Sequence, residues 1–330
     1  MDGSASSICH VVAMPYPGRG HVNPMMNLCK QLVSRSHRIL VTFVVTEEWS
    51  GFIDSEPRPH NIRLGTLPNV IPSEHDRAND FPGFVEAVAT KLEAPFERLL
   101  DRLEPPVSAI IADNYVVWAG GVGNRRNIPV ALLWTMSASV FSVLHHFELL
   151  VQNGHFPLEL IIKSKLLTLM LKLLFICIPV SIRAKERGQE VIEYIPGISR
   201  TRIVDLPTMF HGNGRKTLGR ALEAANGVSK AKYLLFTSAY ELESQVIDAL
   251  KAKISIPVYP VGPSIPYFLL ENENTSLGGH DRPKPKYLQW LDSQPERSVL
   301  YISMGSFLSV SNAQLDEIVC GVQNSGVRDE

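Results

Sequence analysis

What most limits the folds open to this chain is that short, β-branched apolar runs take turns with longer segments of helical period. Residues 39–45 read Ile-Leu-Val-Thr-Phe-Val-Val, a nearly unbroken apolar run that suits a strand covered on both faces. Just before it, Val22, Met25, Met26, Cys29, Leu32 and Val33 recur at the three- and four-residue spacing of one helix face. The pattern predicts further strands at 9–14, at 62–67 (weaker), at 109–112 closed by Asp113, and at 130–134, 233–237 and 258–261. Helical period predicts helices at 81–103, 137–151 and 244–252. Strand–helix–strand repetition of this kind requires parallel pairing, so the expected class is α/β with an open, doubly wound sheet.

A chain of 330 residues exceeds what one core usually serves, which leaves room for two domains. Residues 263–285, rich in Pro, Asn, Gly and charge, read as a linker after a first domain at 1–262. Beyond them, a helix at 287–291, a strand at 298–303 and a helix at 311–322 read as the opening of a second βαβ domain within 286–330. One stretch, 158–190, interrupts the alternation as an atypical insertion. Its centre, 166–180, is almost wholly apolar but shorter than the roughly 20 residues of a membrane helix, and Lys163, Lys165, Arg183 and Lys185 flank it. A buried helix is the expectation there, with an interfacial helix or a span as alternatives; no stable membrane span is expected. The net charge of −1 gives no electrostatic case for nucleic acid. The four cysteines are scattered without a Cys-x-x-Cys pair, which speaks against a zinc site or a disulfide framework and for a reducing compartment. Residues 1–7 lack the basic and apolar regions of a secretory signal, and a cytoplasmic location is expected.

Ligands of open α/β sheets bind beyond the carboxyl ends of the strands. The first such turn is Gly18-Arg19-Gly20-His21, where glycines let the backbone come close to a ligand and a histidine able to take a proton near neutrality starts the helix. A histidine that merely packs at a helix end is the plainer alternative. The turn also matches part of a dinucleotide fingerprint, with Glu47 or Glu48 placed for a ribose, but Asn23 stands where the third glycine belongs. Asp113 closes a strand on the same edge and is a candidate to orient His21, or else a helix cap. Thr135 and Ser137 end the next strand, as polar contacts or caps. In the second domain, Tyr301-Ile-Ser-Met-Gly305-Ser306 is a strand running into a turn that suits a phosphate, or an ordinary loop.

Three stretches carry a resemblance. They are the run from His10 through Pro-Tyr-Pro-Gly-Arg-Gly-His21-Val-Asn-Pro, the run Val41-Thr-Phe-Val-Val-Thr-Glu, and Tyr287-Leu-Gln-Trp-Leu-Asp-Ser-Gln-Pro-Glu continuing to Met304-Gly-Ser306. In these the chain resembles the plant family-1 UDP-glycosyltransferases. The resemblance implies a GT-B fold with two Rossmann-like domains, an N-terminal one for a hydroxylated small molecule and a C-terminal one for the UDP-sugar. It implies inverting transfer of a sugar, glucose being the expectation, with UDP-sugar as co-substrate and neither metal nor cofactor. His21 matches the family's general base and Asp113 the aspartate that orients it. Thr135 matches a sugar contact, Gly305 and Ser306 the Gly-Ser loop near the donor phosphates, and Gly18, Arg19 and Gly20 the acceptor side. The family's downstream donor signature, His-Cys-Gly-Trp-Asn-Ser, is not among the 330 residues. The expectation is therefore a truncated second domain and a chain inactive by itself. An NAD-type oxidoreductase and a non-catalytic small-molecule-binding protein are the alternatives. Acceptor class, whether flavonoid, other phenolic, terpenoid or hormone, stays open.

Overall fold

The computed structural model describes residues 8–156, 188–265, 286–303 and 310–325. The apolar core of the 158–190 stretch, nearly all of the linker, and Gly305 and Ser306 lie outside the described residues. The chain divides into two compact units, Met1–Ile265 and Pro266–Glu330.

The described residues of the first unit hold nine strands: β1 (Cys9–Met14), β2 (Ile39–Thr46), β3 (Ile62–Leu67), β4 (Ala109–Asp113), β5 (Val130–Trp134), β6 (Val191–Ile192), β7 (Thr201–Arg202), β8 (Tyr233–Phe236) and β9 (Val258–Pro260). Seven of them form one sheet in the order β3-β2-β1-β4-β5-β8-β9, every pair parallel, while β6 and β7 make a small antiparallel pair. The order runs outward in both directions from β1 and β4, so the topological switch lies between them.

The unbroken apolar strands divide between two cores, as residues of period two must. Val12 and Met14 of β1 face one core with Val44, Ile110, Ala112, Leu132 and Trp134. Val11 and Ala13 face the other with Val41, Phe43, Val45, Ile111 and Leu133. Helix α1 (Arg19–Arg35) covers the second face with Val22, Met25, Met26, Cys29 and Val33, the periodic set read from sequence, and α2 (Glu47–Ile53) adds Trp49 and Ile53. The first face carries α3 (Phe81–Lys91), α4 (Glu93–Leu100), α5 (Ala119–Arg126), α6 (Ala138–His145), α7 (Phe147–Gln152), α8 (Arg215–Asn226) and α9 (Tyr240–Lys253). Phe141 of α6 anchors this layer edge-on against both Trp134 and Phe236, at ring distances of 5.1 and 5.3 Å.

Several expected elements differ. The helix expected at 81–103 is two, parted at Leu92, because Pro95 in the first turn of α4 has no N–H to continue the ladder from α3. The helix expected at 137–151 is also two. At His146 the backbone leaves helical geometry (φ −99°, ψ 23°), and its ring Nδ1 joins its own N–H on the Ser142 carbonyl. The helix expected directly after Asp113 begins only at Ala119. In the second unit, α10 (Lys286–Asp292) and α11 (Asn312–Asn324) form, the latter with a capping box between Ser311 and Gln314. Residues 298–303 form no strand: no neighbour among the described residues completes a ladder, and Tyr301 is 86% exposed.

Candidate active site

The sheet fixes where the candidate residues sit. β1 and β4 pair with Met14 opposite Ala112, so the turn after β1 and Asp113 at the end of β4 stand side by side across the switch point. β4 and β5 pair with Asp113 opposite Leu133, which brings Thr135, just past the end of β5, to the same edge. The three side chains converge. Asp113 Oδ2 is 2.7 Å from His21 Nδ1, and Thr135 Oγ1 is 2.9 Å from the same nitrogen. Asp113 is 1% exposed, and its other oxygen, Oδ1, accepts the Tyr115 backbone N–H at 2.9 Å. A carboxylate offers only lone pairs, so Nδ1 carries the ring proton and the lone pair of the imidazole is left on Nε2. Nε2 has no bonding partner among the described residues, and the His21 side chain is 24% exposed.

Aromatic rings frame the imidazole. Tyr16 lies 5.0 Å away and Tyr115 meets it edge-on at 6.1 Å; Tyr115 in turn stacks on Trp134 at 5.5 Å. Burial raises the phenols of Tyr16 and Tyr115 above their ordinary range, and the Asp113 charge adds to this in both. Both therefore stay neutral, and Asp113 is the one anion touching the imidazole among the described residues. Gly18 opens α1 without a side-chain cap, and its carbonyl accepts from the N–H groups of His21 and Val22 at 2.9 and 2.8 Å. A Cβ on Gly20 would meet open space. The Arg19 guanidinium pairs with Glu56 at 3.1 Å and lies over Trp49 rather than joining His21. Ser137 caps α6 by accepting the Val140 N–H, the plainer of its two expected roles.

Of the two acidic residues in the dinucleotide alternative, Glu48 is engaged elsewhere. Glu48 accepts from the Ser73 hydroxyl at 2.5 Å and the Glu74 N–H at 3.0 Å, tying down the loop before α3, and Glu47 lies in the first turn of α2. Sequence reasoning missed Glu243. Its carboxylate takes the N–H groups of Ala138 and Ser139, both at 2.9 Å, the Ser139 hydroxyl at 2.6 Å and the Ser238 hydroxyl, and so caps α6 next to Thr135. The non-helical backbone of Glu243 (φ −133°, ψ 30°) inside α9 is the sole local sign of that aim, and no spacing rule reaches across the roughly hundred residues between them. His10 is buried at the opposite, N-terminal edge, where it bonds the Pro105 carbonyl and Thr42.

Comparison with known proteins supplies the relatives. The chain is 51% identical over 320 residues to UDP-glycosyltransferase 87A2 of Arabidopsis thaliana, covering 97% of this chain and 63% of that protein.

Over nearly its whole length the chain is similar to plant UDP-glycosyltransferases.

It is also 51% identical to UDP-glycosyltransferase 87A1 of the same plant, spanning 65% of its length, and 30% identical to 7-deoxyloganetin glucosyltransferase of Catharanthus roseus, spanning 64%. The chain thus spans a little under two thirds of the curated relatives it matches. No family model matches it. In fold it is similar to Phytolacca americana UGT2 complexed with UDP-2fluoro-glucose and pterostilbene (TM-score 0.70, 23% identity, 97% of this chain and 65% of that one). A second similar structure is Medicago truncatula UGT71G1 complexed with UDP-glucose (TM-score 0.66, 23% identity, 97% and 65%). The fold is therefore that of the GT-B enzymes. No described helix is long and apolar enough to cross a membrane.

Proposed function

We propose that this chain supplies the acceptor-activating half of a UDP-sugar-dependent glycosyltransferase acting on a hydroxylated small molecule. The observation that carries this reading is the His21–Asp113 pair at the switch point, which fixes the Nδ1–H tautomer and leaves Nε2 as the base. In the proposed reaction Nε2 takes the proton of the acceptor hydroxyl, the acceptor oxygen forms a bond to the anomeric carbon of the sugar, and the bond from that carbon to the UDP oxygen breaks. UDP leaves with the electron pair, and displacement from the opposite face inverts the anomeric centre. Asp113 offsets the positive charge that grows on the imidazole, as in other base–orienter pairs.

Under the same reading Gly18, Arg19 and Gly20 line the acceptor side, Thr135 serves as a sugar contact beside its bond to His21, and Gly305 and Ser306 face the donor phosphates. The reading assigns 1–262 to acceptor binding, 263–285 to a linker and 286–330 to the opening of a donor domain, in a cytoplasmic setting. Support for a UDP-sugar and a plant small molecule comes from the names of the relatives, one a glucosyltransferase of 7-deoxyloganetin, and glucose is the sugar this favours. Of the donor contacts implied by family resemblance, Thr135, Gly305 and Ser306 are the ones within these 330 residues. Expressed by themselves they are proposed to bind acceptor without transferring sugar. The test titrates the chain with a panel of phenolic and terpenoid alcohols. It then assays product from UDP-glucose after the chain is extended with the C-terminal remainder of the 51% identical relative. Saturable acceptor binding by the chain and transfer by the extended protein are expected. Transfer by the extended protein that needs no acceptor hydroxyl, or no binding by either form, would refute the reading.

A further inference from the structure

The turn that carries His21 is held from outside by one buried cation. Arg77, in the loop between β3 and α3, is 6% exposed. Its Nη1 donates to the Pro17 carbonyl at 3.2 Å and lies 3.0 Å from Glu74 Oε1. Its guanidinium sits 5.9 Å from the Phe84 ring, whose edge meets Tyr16, the aromatic neighbour of His21. The loop is itself pinned by Glu48 through Ser73 and Glu74. Gly18 marks the convergence: a Cβ there would lie 2.6 Å from Arg77 Nη1 and 3.7 Å from His21 Cδ2. The guanidinium and the imidazole thus flank the same small space, and glycine is the residue that leaves it clear.

We propose that Arg77 is a positioning residue for transfer: by clamping Pro17 and filling the space above Gly18, it fixes the turn so that His21 meets Asp113 and Thr135. The proposal rests on the reading of His21 as the base, and it names a residue outside the base–orienter pair. A buried Arg on a backbone carbonyl acts through geometry, and a misplacement of about 1 Å at a reacting group costs about 10²-fold in rate.

Two readouts test it. The first is the Nδ1 proton resonance of His21 in chain labelled with ¹⁵N-histidine, identified among ten histidines by its loss in His21→Ala. This needs no turnover, so it stands even if the extended protein transfers no sugar. The second is the split between kcat and acceptor KM in the extended protein. Arg77→Ala is expected to abolish the resonance and lower kcat about 10²-fold with a much smaller change in KM. Gly18→Ala pushes on Nη1 from the other side and leaves Glu74 its partner, so it carries the test where Arg77→Ala does not fold; loss of the resonance is its expected readout, because Gly18 is also read as lining the acceptor side and its KM does not report on Arg77 alone. A folded Arg77→Ala that keeps either the resonance or the parent kcat overturns the proposal. A Gly18→Ala protein that keeps the resonance overturns it equally.

Discussion

Replacing Asp113 by Asn tests the site at its most constrained atom. The two carboxylate oxygens have different partners: Oδ1 takes the Tyr115 backbone N–H and Oδ2 takes His21 Nδ1–H. A backbone N–H cannot become an acceptor. The single oxygen of the new carboxamide must therefore stay on Tyr115, and its NH₂ turns toward His21. Nδ1 then has to accept, the proton moves to Nε2, and the atom that should take the acceptor's proton already carries one. Shape changes little, since the replacement is isosteric and Asp113 is 1% exposed. The loss is expected almost wholly in kcat, at about 10²–10⁴-fold, or about 3–5 kcal/mol of activation free energy. The assay is steady-state product formation by the extended protein, with melting curves to show that the variant folds. A folded Asp113→Asn protein with kcat within about threefold of the parent, under 1 kcal/mol, would refute the tautomer argument and reduce Asp113 to a turn cap.

Three further outcomes follow from groups away from the base. Glu243→Gln keeps one oxygen and sets an amide NH₂ against the two donors of the other, a backbone N–H and a hydroxyl in either orientation, and should lower stability to urea by about 1–3 kcal/mol; a change under about 0.5 kcal/mol would deny its capping role. His145 and His146 have pKa values lowered first by burial, and by the Lys253 charge as well, so their neutral forms belong to the folded state. Above the unfolded value of about 6.5 they cost nothing, and as pH falls below it the unfolded chain takes up protons that the fold resists. Stability should therefore drop between about pH 7 and 5.5, ahead of the carboxylates, and less so in His145→Gln; a flat profile in that window would contradict this. Burial pushes the Cys29 thiol up to about 12, while Cys9 is exposed. An alkylating reagent at about pH 8 should label Cys9 in the native chain and Cys29 only after unfolding, read by peptide mass, and equal labelling would show that α1 opens.

The sheet and the edge that carries the candidate site were legible because they depend on local signals. A run such as 39–45 has no reading but a strand with two dry faces, and parallel order then sets Asp113 and Thr135 beside the turn that bears His21. What stayed hidden depends on contacts distant in sequence. Nothing in the spacing of Arg77 or Glu243 marks either as bonded to the backbone beside the candidate site. Residues 298–303 have a strand's composition, but a parallel strand forms only against a neighbour. The 81–103 helix was over-extended although Pro95 was visible, since periodicity alone does not register a missing N–H. Glu48 misled in the other direction: its distance from the glycine turn fits a ribose contact, yet Ser73 and Glu74 hold it.

The central claim, that His21 Nε2 deprotonates the acceptor, is tested most directly by one rate ratio. In the extended protein, kcat with UDP-glucose and a saturating phenolic acceptor is measured for the parent and for His21→Ala. The account predicts a fall of about 10²–10⁴-fold with acceptor binding retained. Transfer by His21→Ala at near the parent rate would contradict it and move the base elsewhere in the molecule.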